Sequence, residues 1–325
     1  MEKTIARLQQ LINQKLDEES YGQSPQELYE PIRYIMALGG KRLRPMLVLL
    51  GYSLFKDDPE SVVDQALAIE VFHNFTLMHD DIMDEAPLRR GQETVHIKWN
   101  PNTAILSGDV MLVKAYDLLL ATPKKHLREA LQVFNKCARE VCEGQQMDMV
   151  FETRDEVTEG EYVEMIRLKT AVLLGASLEL GALLAGASEK DRKQIREFGE
   201  KIGIGFQLKD DLLDVYGDAQ KFGKQVGGDI IANKKTYLLI QSLRTAGMSD
   251  RKELQRWLLS TDFNPDSKVA AVKSIYDNLG IREAAEEKMN TYFEEGFSAL
   301  KRINCDLTKR SKLREFAESL ISRQS

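Results

Sequence analysis

Two aspartate-rich stretches decide the fold and the chemistry of this chain. Residues 71–91 read VFHNFTLMHDDIMDEAPLRRG, and residues 205–214 read GFQLKDDLLD. In each stretch, apolar residues at helical spacing lead into three aspartates in the pattern DDxxD. The first aspartate cluster is Asp80, Asp81 and Asp84, and the second aspartate cluster is Asp210, Asp211 and Asp214. We therefore predict two buried helices whose C-terminal ends are acidic.

The spacing of these carboxylates is unfavourable for helix stability. The first and last aspartates of each cluster are four residues apart, so they lie about 40° apart around the helix axis and share a face. The middle aspartate sits roughly 100° round and flanks them. Like charges repel at this spacing, and the helix dipole disfavours negative charge at a C-terminus. A solvent-exposed acidic helix face without a function is the alternative explanation. The apolar residues before each cluster argue against it, because they indicate buried helices. The DDxxD patterns themselves contain carboxylates and neither cysteine nor histidine, which favours Mg²⁺ over zinc.

Basic residues near these stretches suggest that the bound molecule is anionic. Residues 39–45 read GGKRLRP, a glycine-led turn that opens a helix. Backbone amides, a helix N-terminus and the three cationic side chains of Lys41, Arg42 and Arg44 would form a cradle for a diphosphate. Arg89 and Arg90 follow soon after the first aspartate cluster, and the planar guanidinium binds phosphate through two hydrogen bonds. We predict a diphosphate site from these residues.

Helical spacing adds further candidates. His73 shares a face with the first aspartate cluster, while Gly203 and Gln207 share a face with the second. We expect the small Gly203 to leave room for a ligand. Lys169 and Thr170 interrupt an otherwise apolar helix. A lysine in such a place either serves a site or extends its ammonium group to the surface.

The pattern of the whole chain predicts an all-α protein. Only eight prolines occur in 325 residues, long stretches repeat at 3.6 residues, and no alternating strand pattern is present. We predict a single domain over residues 1–325. Predicted helices cover residues 25–38, 43–55, 61–84, 102–122, 125–151, 159–186, 188–215, 234–246, 250–259, 266–290 and 306–323.

Composition narrows the class of protein. Hydrophobic residues make up 43% and the formal net charge is -6, which argues against a nucleic-acid binder. No apolar run approaches 18 residues, so we predict no membrane span. Residues 1–15 are charged and periodic, as in an amphipathic helix rather than a signal peptide. The three cysteines are odd in number and lack metal-ligand spacing, so we predict idle thiols in a cytoplasmic protein.

On its motifs, the chain resembles the trans-isoprenyl diphosphate synthase family (polyprenyl synthetases), which includes farnesyl and geranylgeranyl diphosphate synthases. The motifs are GGKRLRP, DDIMDEAPLRRG, GQQMD at 144–148, KT at 169–170, GFQLKDDLLD, and GKQVGGDIIANKK at 223–235. They occur in the family's order over residues 39–235. The resemblance implies a single large helical bundle of the isoprenoid synthase type with a central active-site cavity.

The resemblance also implies a role for each motif residue. The isopentenyl diphosphate site would be lined by Lys41, Arg44, His73 and Arg90. About three Mg²⁺ ions would be held by Asp80, Asp84 and Asp210, supported by Asp81, Asp211 and Asp214. The allylic diphosphate would be contacted or neutralised by Arg89, Lys169, Gln207, Lys224 and Lys234. Thr170 and Gln207 would lie near the allylic carbon, where positive charge develops. Gln145 and Asp148 would have a supporting role.

The implied activity is that of a short-chain trans-prenyltransferase. The allylic substrate would be dimethylallyl, geranyl or farnesyl diphosphate, and its C–O bond would break to give a cation that isopentenyl diphosphate attacks. In the family, bulky residues before the first aspartate limit product length. Here these positions are Phe72, Phe75 and Thr76. They resemble enzymes that make geranylgeranyl diphosphate (C20), with farnesyl diphosphate (C15) as the close alternative. The resemblance further implies a homodimer that associates through helices 102–122 and 125–151.

Three other functions compete with this interpretation. A terpene cyclase uses one diphosphate substrate, so it would not need the basic residues of a second diphosphate site. A non-catalytic partner subunit would be expected to lose aspartates, and all six are present. A helical phosphohydrolase would be expected to mix histidines among its metal ligands.

Overall fold

The computed structural model describes residues 2–217 and 226–322. The N-terminal part, up to residue 153, is helical except for one short hairpin. Its helices are α1 (Glu2–Glu18), α2 (Gln26–Ala37), α3 (Leu43–Ser53), α4 (Val63–Met83), α5 (Val95–Lys98), α6 (Pro101–Leu120) and α7 (Lys124–Thr153). A 3₁₀ turn at Pro59–Val62 precedes α4, and the hairpin strands are β1 (Leu88–Arg89) and β2 (Gln92–Glu93).

The remaining described chain is also helical. It contains α8 (Glu159–Ile166), α9 (Val172–Leu184), α10 (Glu189–Tyr216), α11 (Gly228–Ile231), α12 (Tyr237–Thr245), α13 (Met248–Leu259), α14 (Pro265–Asn278), α15 (Ile281–Lys301) and α16 (Leu307–Ser322). A π-helical turn at Arg167–Ala171 joins α8 to α9. None of the described helices is both long and apolar enough to cross a membrane.

Contacts along the chain form two compact units. The first comprises Met1–Cys137, Ala176–Arg196 and Ile303–Leu313, and the second comprises Ala138–Gly175, Glu197–Arg302 and Arg314–Ser325. The prediction of a single domain over residues 1–325 stays a prediction.

Helix α4 is the central element of the first unit. Its residues from Gln65 to Phe72 are all buried, which explains why this part of the sequence is apolar apart from Gln65 and Glu70. Close packing of α3 against α9 depends on glycine. A Cβ atom at Gly181 would lie 2.0 Å from the carbonyl oxygen of Val48, so the two backbones are in direct contact.

The second unit has its own apolar core. Buried side chains from α8, α10, α12, α14 and α15 meet there, including Tyr162, Leu208, Leu238 and Tyr276. The end of α10, which carries the second aspartate cluster, is thus anchored by its apolar side. The first unit anchors the first aspartate cluster in the same manner through α4.

The predicted all-α fold is confirmed, and the structure differs from the predicted elements locally. The predicted helix 159–186 contains the π-helical turn, and the predicted helix 266–290 is two helices. They part at Gly280, which has a left-handed φ of 65°. The hairpin is not predicted by the sequence pattern because two-residue strands are too short to show alternation. Its turn residues, Arg90 and Gly91, have φ values of 54° and 77°, as a type I′ hairpin turn requires.

Candidate active site

The first aspartate cluster lies at the C-terminal end of α4. Asp80 is half-buried, Asp81 is buried, and Asp84 is exposed. Asp84 immediately follows the last residue of the helix, and its backbone N–H donates to the carbonyl oxygen of Asp80 at 2.8 Å. The three carboxylates are therefore not equivalent, because only the outer two have access to solvent-exposed space.

Asp81 is held by an arginine from the hairpin. Arg89 on β1 donates from Nε to Oδ2 and from Nη2 to Oδ1 of Asp81, both at 2.7 Å. This paired geometry is the strongest arrangement for an arginine and a carboxylate. Asp81 thus fixes the orientation of Arg89, a residue that the family resemblance places at the allylic diphosphate.

A cluster of basic side chains surrounds His73 on α4. Arg44 Nη1 lies 2.9 Å from His73 Nε2. Because a guanidinium only donates hydrogen bonds, Nε2 accepts and the ring proton is on Nδ1. Burial lowers the pKa of His73 well below its ordinary value, and the neighbouring charges of Arg44, Arg90, Arg89 and Arg42 lower it further. Burial also lowers the pKa of Arg44 to about 10. Arg44 and His73, which the family resemblance assigns to one diphosphate site, thus lie side by side. So much positive charge around a neutral imidazole suits an anionic ligand.

The turn that carries these residues is held in an uncommon conformation. Gly39 and Gly40 have φ values of 77° and 132°, and Arg90 Nη1 donates to the carbonyl oxygen of Gly39. A Cβ atom at Gly40 would lie 2.9 Å from Arg90 Nη2. The glycines therefore let the Arg90 guanidinium lie directly on the backbone of the turn. Lys41 follows as an exposed residue.

Arg42 does not join the diphosphate cradle as expected, because its side chain is buried against Glu70. It opens α3 with a left-handed φ of 46° and is buried together with Glu70. Arg42 Nη1 donates to Glu70 Oε1, and Nη2 donates to the carbonyl oxygen of Met36, both at 2.6 Å. Asn74 Nδ2 donates to the same Glu70 oxygen at 3.2 Å. A lone glutamate in the apolar run of α4 was the available signal, because a buried charge needs a partner.

The second aspartate cluster lies near the C-terminal end of α10. Asp210 is exposed, Asp211 is buried, and Asp214 is half-buried. The Tyr162 hydroxyl donates to Asp211 Oδ2 at 2.5 Å, and the Tyr237 backbone N–H donates to the same oxygen at 3.3 Å. Burial raises the pKa of Asp211 to about 7, against the opposing hydrogen bond from Tyr162.

Asp214 organises the chain beyond α10. Its Oδ2 accepts a hydrogen bond from the backbone N–H of Asp229 at 3.0 Å, and its carbonyl oxygen accepts from the N–H of Gly227 at 2.6 Å. Asp214 therefore ties the start of α11 to the end of α10. In each cluster the middle aspartate, which is rotated roughly 100° from the first, is buried against a protein donor.

Lys169 and Thr170 lie on the π-helical turn. Such turns insert an extra residue into a helix and often occur at functional sites. Lys169 Nζ donates to Asp148 Oδ2 at 2.5 Å, so the aspartate of the GQQMD motif fixes the lysine. Gly144 of the same motif lets α7 approach the π-helical turn closely. A Cβ atom at Gly144 would lie 2.2 Å from the backbone nitrogen of Lys169.

The expectation that Gly203 leaves room for a ligand is wrong. A Cβ atom at Gly203 would lie 2.7 Å from Cα of Ala171. The glycine thus lets α10 pack directly on the π-helical turn. Its small size serves helix–helix contact, and the turn is held by glycines on two neighbouring helices.

The other predicted residues lie on the same elements. Gln207 is half-buried on α10, Lys234 is exposed after α11, and Lys224 lies outside the described residues. Phe72 is buried on α4, and its ring meets that of Phe134 edge-on at 5.1 Å. Phe75 and Thr76 are half-buried, and the Phe75 ring packs on the His79 ring at 4.7 Å.

The donor set fits magnesium. Within residues 2–217 and 226–322, no group of three or more His, Cys, Asp or Glu side chains forms a ready-made cation cage. Mg²⁺ is typically held by one or two carboxylates together with water and substrate phosphate oxygens. The exposed Asp84 and Asp210 and the half-buried Asp80 provide hard oxygen ligands of that kind. The carboxylates at each helix end, taken separately, therefore suit an ion that is completed by a diphosphate.

Comparison with known proteins agrees with this architecture. Residues 25–279 match the family model described as polyprenyl synthetase. The chain is 44% identical over 246 residues to a short chain isoprenyl diphosphate synthase of Methanocaldococcus jannaschii, covering 75% of each. It is 38% identical to a geranylgeranyl pyrophosphate synthase of Geoglobus acetivorans over 323 residues, 96% of each.

Solved structures show the same likeness. A crystal structure of a geranylgeranyl pyrophosphate synthase superposes with a TM-score of 0.94 and 41% identity, covering 99% of each chain. That of the geranylgeranyl pyrophosphate synthetase from Pyrococcus horikoshii gives a TM-score of 0.91 at 34% identity, again over 99% of each chain. Fold and sequence thus define an all-α prenyltransferase of the isoprenyl diphosphate synthase class. The chain belongs to the polyprenyl synthetase family, which confirms the predicted family, fold class and type of enzyme.

Proposed function

We propose that this enzyme joins isopentenyl diphosphate to dimethylallyl, geranyl or farnesyl diphosphate and makes a short linear product. One observation carries this proposal. Within the first unit, an acidic helix end and a separate cluster of Arg44, His73 and Arg90 occur together. A condensing enzyme must bind two diphosphates, one through metal ions and the other through basic groups, whereas a terpene cyclase binds only one.

The basic cluster is the proposed site for isopentenyl diphosphate. Arg44, His73 and Arg90 are grouped in the structure, and Lys41 follows in the same turn. Neutral His73 keeps its Nδ1 proton, so the ring adds no positive charge of its own. The diphosphate of this substrate is not a leaving group, and cationic side chains are sufficient to hold it.

We assign the metal ions to the outer carboxylates. Asp80, Asp84 and Asp210 would hold Mg²⁺, about three ions by family resemblance, and the bound ions would stabilise the departing diphosphate of the allylic substrate. Asp81 orients Arg89, Asp148 orients Lys169, and Asp211 and Asp214 hold the local fold. Arg89, Lys169, Gln207, Lys224 and Lys234 are the proposed diphosphate contacts.

The side chains of the enzyme then need only to orient the two substrates and to shield the cation from water. When the allylic C–O bond breaks, Thr170 and Gln207 would present oxygen dipoles to the developing positive charge. The double bond of isopentenyl diphosphate attacks the cation, and the released diphosphate takes the proton that is lost. No side-chain nucleophile takes part.

Paired variants test the metal assignment. Asp80→Asn and Asp210→Asn should each lower turnover by about 10²-fold or more, because each removes one charge from the site that stabilises the leaving group. Asp262→Asn, which changes an exposed aspartate of the second unit, should leave turnover unchanged. Full activity of either site variant, or activity that survives a chelator, would contradict the assignment.

We propose geranylgeranyl diphosphate (C20) as the product, with C15 as the alternative. Two observations support the C20 product. Phe75 is half-buried beside Thr76 on α4, and relatives of the chain are named as geranylgeranyl pyrophosphate synthases. Product analysis after incubation with labelled isopentenyl diphosphate and each allylic starter decides between the two lengths. Phe75→Ala should extend the products beyond C20. Unchanged length in Phe75→Ala and in its double variant with Phe72→Ala would place the limit elsewhere.

We also propose a homodimer that associates through α6 and α7. Leu106, Val113 and Leu120 on α6 are each more than half exposed and recur every seven residues, so they share one face. A cytoplasmic location stays a proposal that rests on the composition and the cysteine pattern.

A further inference from the structure

A buried lysine from the C-terminal part of the chain reaches a loop of the proposed site. This part of the sequence carries none of the motifs on which the family resemblance rests, although the match to the family model extends to residue 279. Lys268 on α14 is only 1% exposed. Its Nζ donates to the carbonyl oxygen of Ile231 at 3.2 Å and to Asn233 Oδ1 at 2.6 Å, and it lies 4.2 Å from the ring centroid of Phe263. Burying an ammonium group is costly unless its donors are used, and here they are used on residues 231–233.

Asn233 is the principal partner of this lysine. Its φ is 56°, a left-handed conformation that asparagine tolerates better than most residues. The side chain is bound at both ends, because Oδ1 accepts from Lys268 and Nδ2 donates to the carbonyl oxygen of Leu258 on α13 at 3.1 Å. Helices α13 and α14 therefore hold one left-handed residue between them.

Lys234 follows directly in the chain. Its backbone N–H donates to the carbonyl oxygen of Asp229 at 2.9 Å, and its own carbonyl oxygen accepts from the N–H of Thr236 at 2.8 Å. The backbone of Lys234 is thus fixed on both sides, and the left-handed turn at Asn233 sets the direction in which its side chain leaves the loop.

We propose that Lys268 and Asn233 form a buried clamp that positions Lys234 and thereby sets the affinity for the allylic diphosphate. The proposal rests on the proposed contact between Lys234 and that diphosphate. Lys268 itself does not touch substrate and is a positioning residue. Loss of the clamp should therefore weaken binding of the allylic substrate and leave binding of isopentenyl diphosphate unchanged.

The central experiment compares steady-state kinetics of Lys268→Met with those of the unmodified enzyme. Methionine keeps most of the side-chain length but has no N–H donors. We expect the KM for the allylic diphosphate to rise about 5- to 20-fold, in the range for changes that act through a neighbouring residue. The KM for isopentenyl diphosphate should change less than about twofold by the same reasoning. The matched control is Lys288→Met, which breaks an ion pair with Glu159 and should move neither KM.

Two further variants make the test decisive. In the double variant Lys234→Gln/Lys268→Met, the allylic KM should be no higher than in Lys234→Gln alone, because Lys268 acts through Lys234. Asn233→Gly keeps access to a positive φ while removing both side-chain hydrogen bonds, and it should reproduce the effect of Lys268→Met. If Lys268→Met does not fold, the kinetics of Asn233→Gly test the clamp in its place.

The outcomes separate the clamp from the function on which it rests. If Lys234→Gln raises the allylic KM while Lys268→Met and Asn233→Gly do not, the clamp is wrong and the role of Lys234 stands. Equal increases for both substrates, or additive effects in the double variant, also overturn the clamp. If Lys234→Gln leaves the allylic KM unchanged, the proposed role of Lys234 fails and the clamp fails with it.

Discussion

Arg42 and Glu70 form an ion pair with little access to water. Both side chains are buried, and their atoms lie 2.6 Å apart. Desolvation of two charges can cost as much as their attraction gains, so a buried pair need not add net stability. Its consequence is local, because Arg42 also binds the carbonyl oxygen of Met36 and so fixes the backbone between Lys41 and Arg44.

Removing one partner of this pair should be much worse than removing both. Glu70→Leu leaves the Arg42 guanidinium buried without its counter-charge, and we expect a loss of about 3–5 kcal/mol in the free energy of unfolding. The double variant Arg42→Met/Glu70→Leu should recover a substantial part of that loss. Urea unfolding followed by circular dichroism measures both. Equal losses in the single and the double variant would show that the pair is not buried as described.

We expect His73 to make the free energy of unfolding depend on pH. In the folded protein its pKa lies well below the ordinary value of 6.5, first because of burial and then because of the nearby arginines. Below pH 6.5 the unfolded chain therefore binds a proton that the folded chain does not, and stability falls as the pH decreases. At one pH unit below 6.5 this loss is at most about 1.4 kcal/mol.

The variant His73→Gln isolates this contribution. Glutamine does not titrate but still accepts a hydrogen bond from Arg44. Between pH 7.5 and 5.5, the unmodified protein should lose more unfolding free energy than the variant does. If the two fall in parallel, His73 does not supply the acid sensitivity.

The helices show why periodicity predicts some elements and not others. Helix α4 is found where the spacing of apolar residues predicts it, because its buried residues are apolar and recur at helical spacing within the helix itself. The π-helical turn leaves no mark on an apolar stretch, because one extra residue does not change which residues are hydrophobic. The break at Gly280 is equally hidden, because α14 and α15 both bury apolar residues close to it and the apolar pattern continues across the break.

Gly144 links α7 to the π-helical turn and offers a direct test of that contact. Gly144→Ala would place a methyl group 2.2 Å from the backbone nitrogen of Lys169, so the helices must separate. We expect a loss of about 1–3 kcal/mol in stability, as for overpacking, together with reduced turnover because Lys169 moves.

Gly160→Ala is the matched control for this prediction. A Cβ atom at Gly160 would meet nothing within 4 Å, and Gly160 lies within α8. Alanine there should leave turnover unchanged and raise stability by about 0.5–1 kcal/mol. Thermal unfolding and steady-state kinetics of both variants decide the question, and equal behaviour of the two would contradict the contact.

Across the chain, the sequence motifs single out candidate site residues but do not show how the fold holds their side chains. Asp81 and Asp211 look like their neighbours in the DDxxD patterns, yet they are buried against Arg89 and Tyr162. Tyr162 and Asp211 are 49 residues apart in the chain, and spacing within one helix carries no information about such a contact. Lys268 was missed for the same reason, because its role depends on a loop 35 residues away.

Two copies of the chain should associate through α6. Leu106, Val113 and Leu120 form an exposed apolar stripe, and such stripes on soluble proteins usually mark an interaction surface. The variant Leu106→Asp/Val113→Asp puts two charges into that stripe, and burying unpaired charges is strongly unfavourable. Sedimentation velocity at micromolar concentration should show a dimer for the unmodified chain and a monomer of unchanged helical content for the variant. Met248→Asp changes a residue that is 79% exposed at the start of α13, where negative charge suits the helix dipole, so this control should remain dimeric. A monomeric unmodified chain, or a dimer that survives both charges, would place the interface elsewhere or remove it.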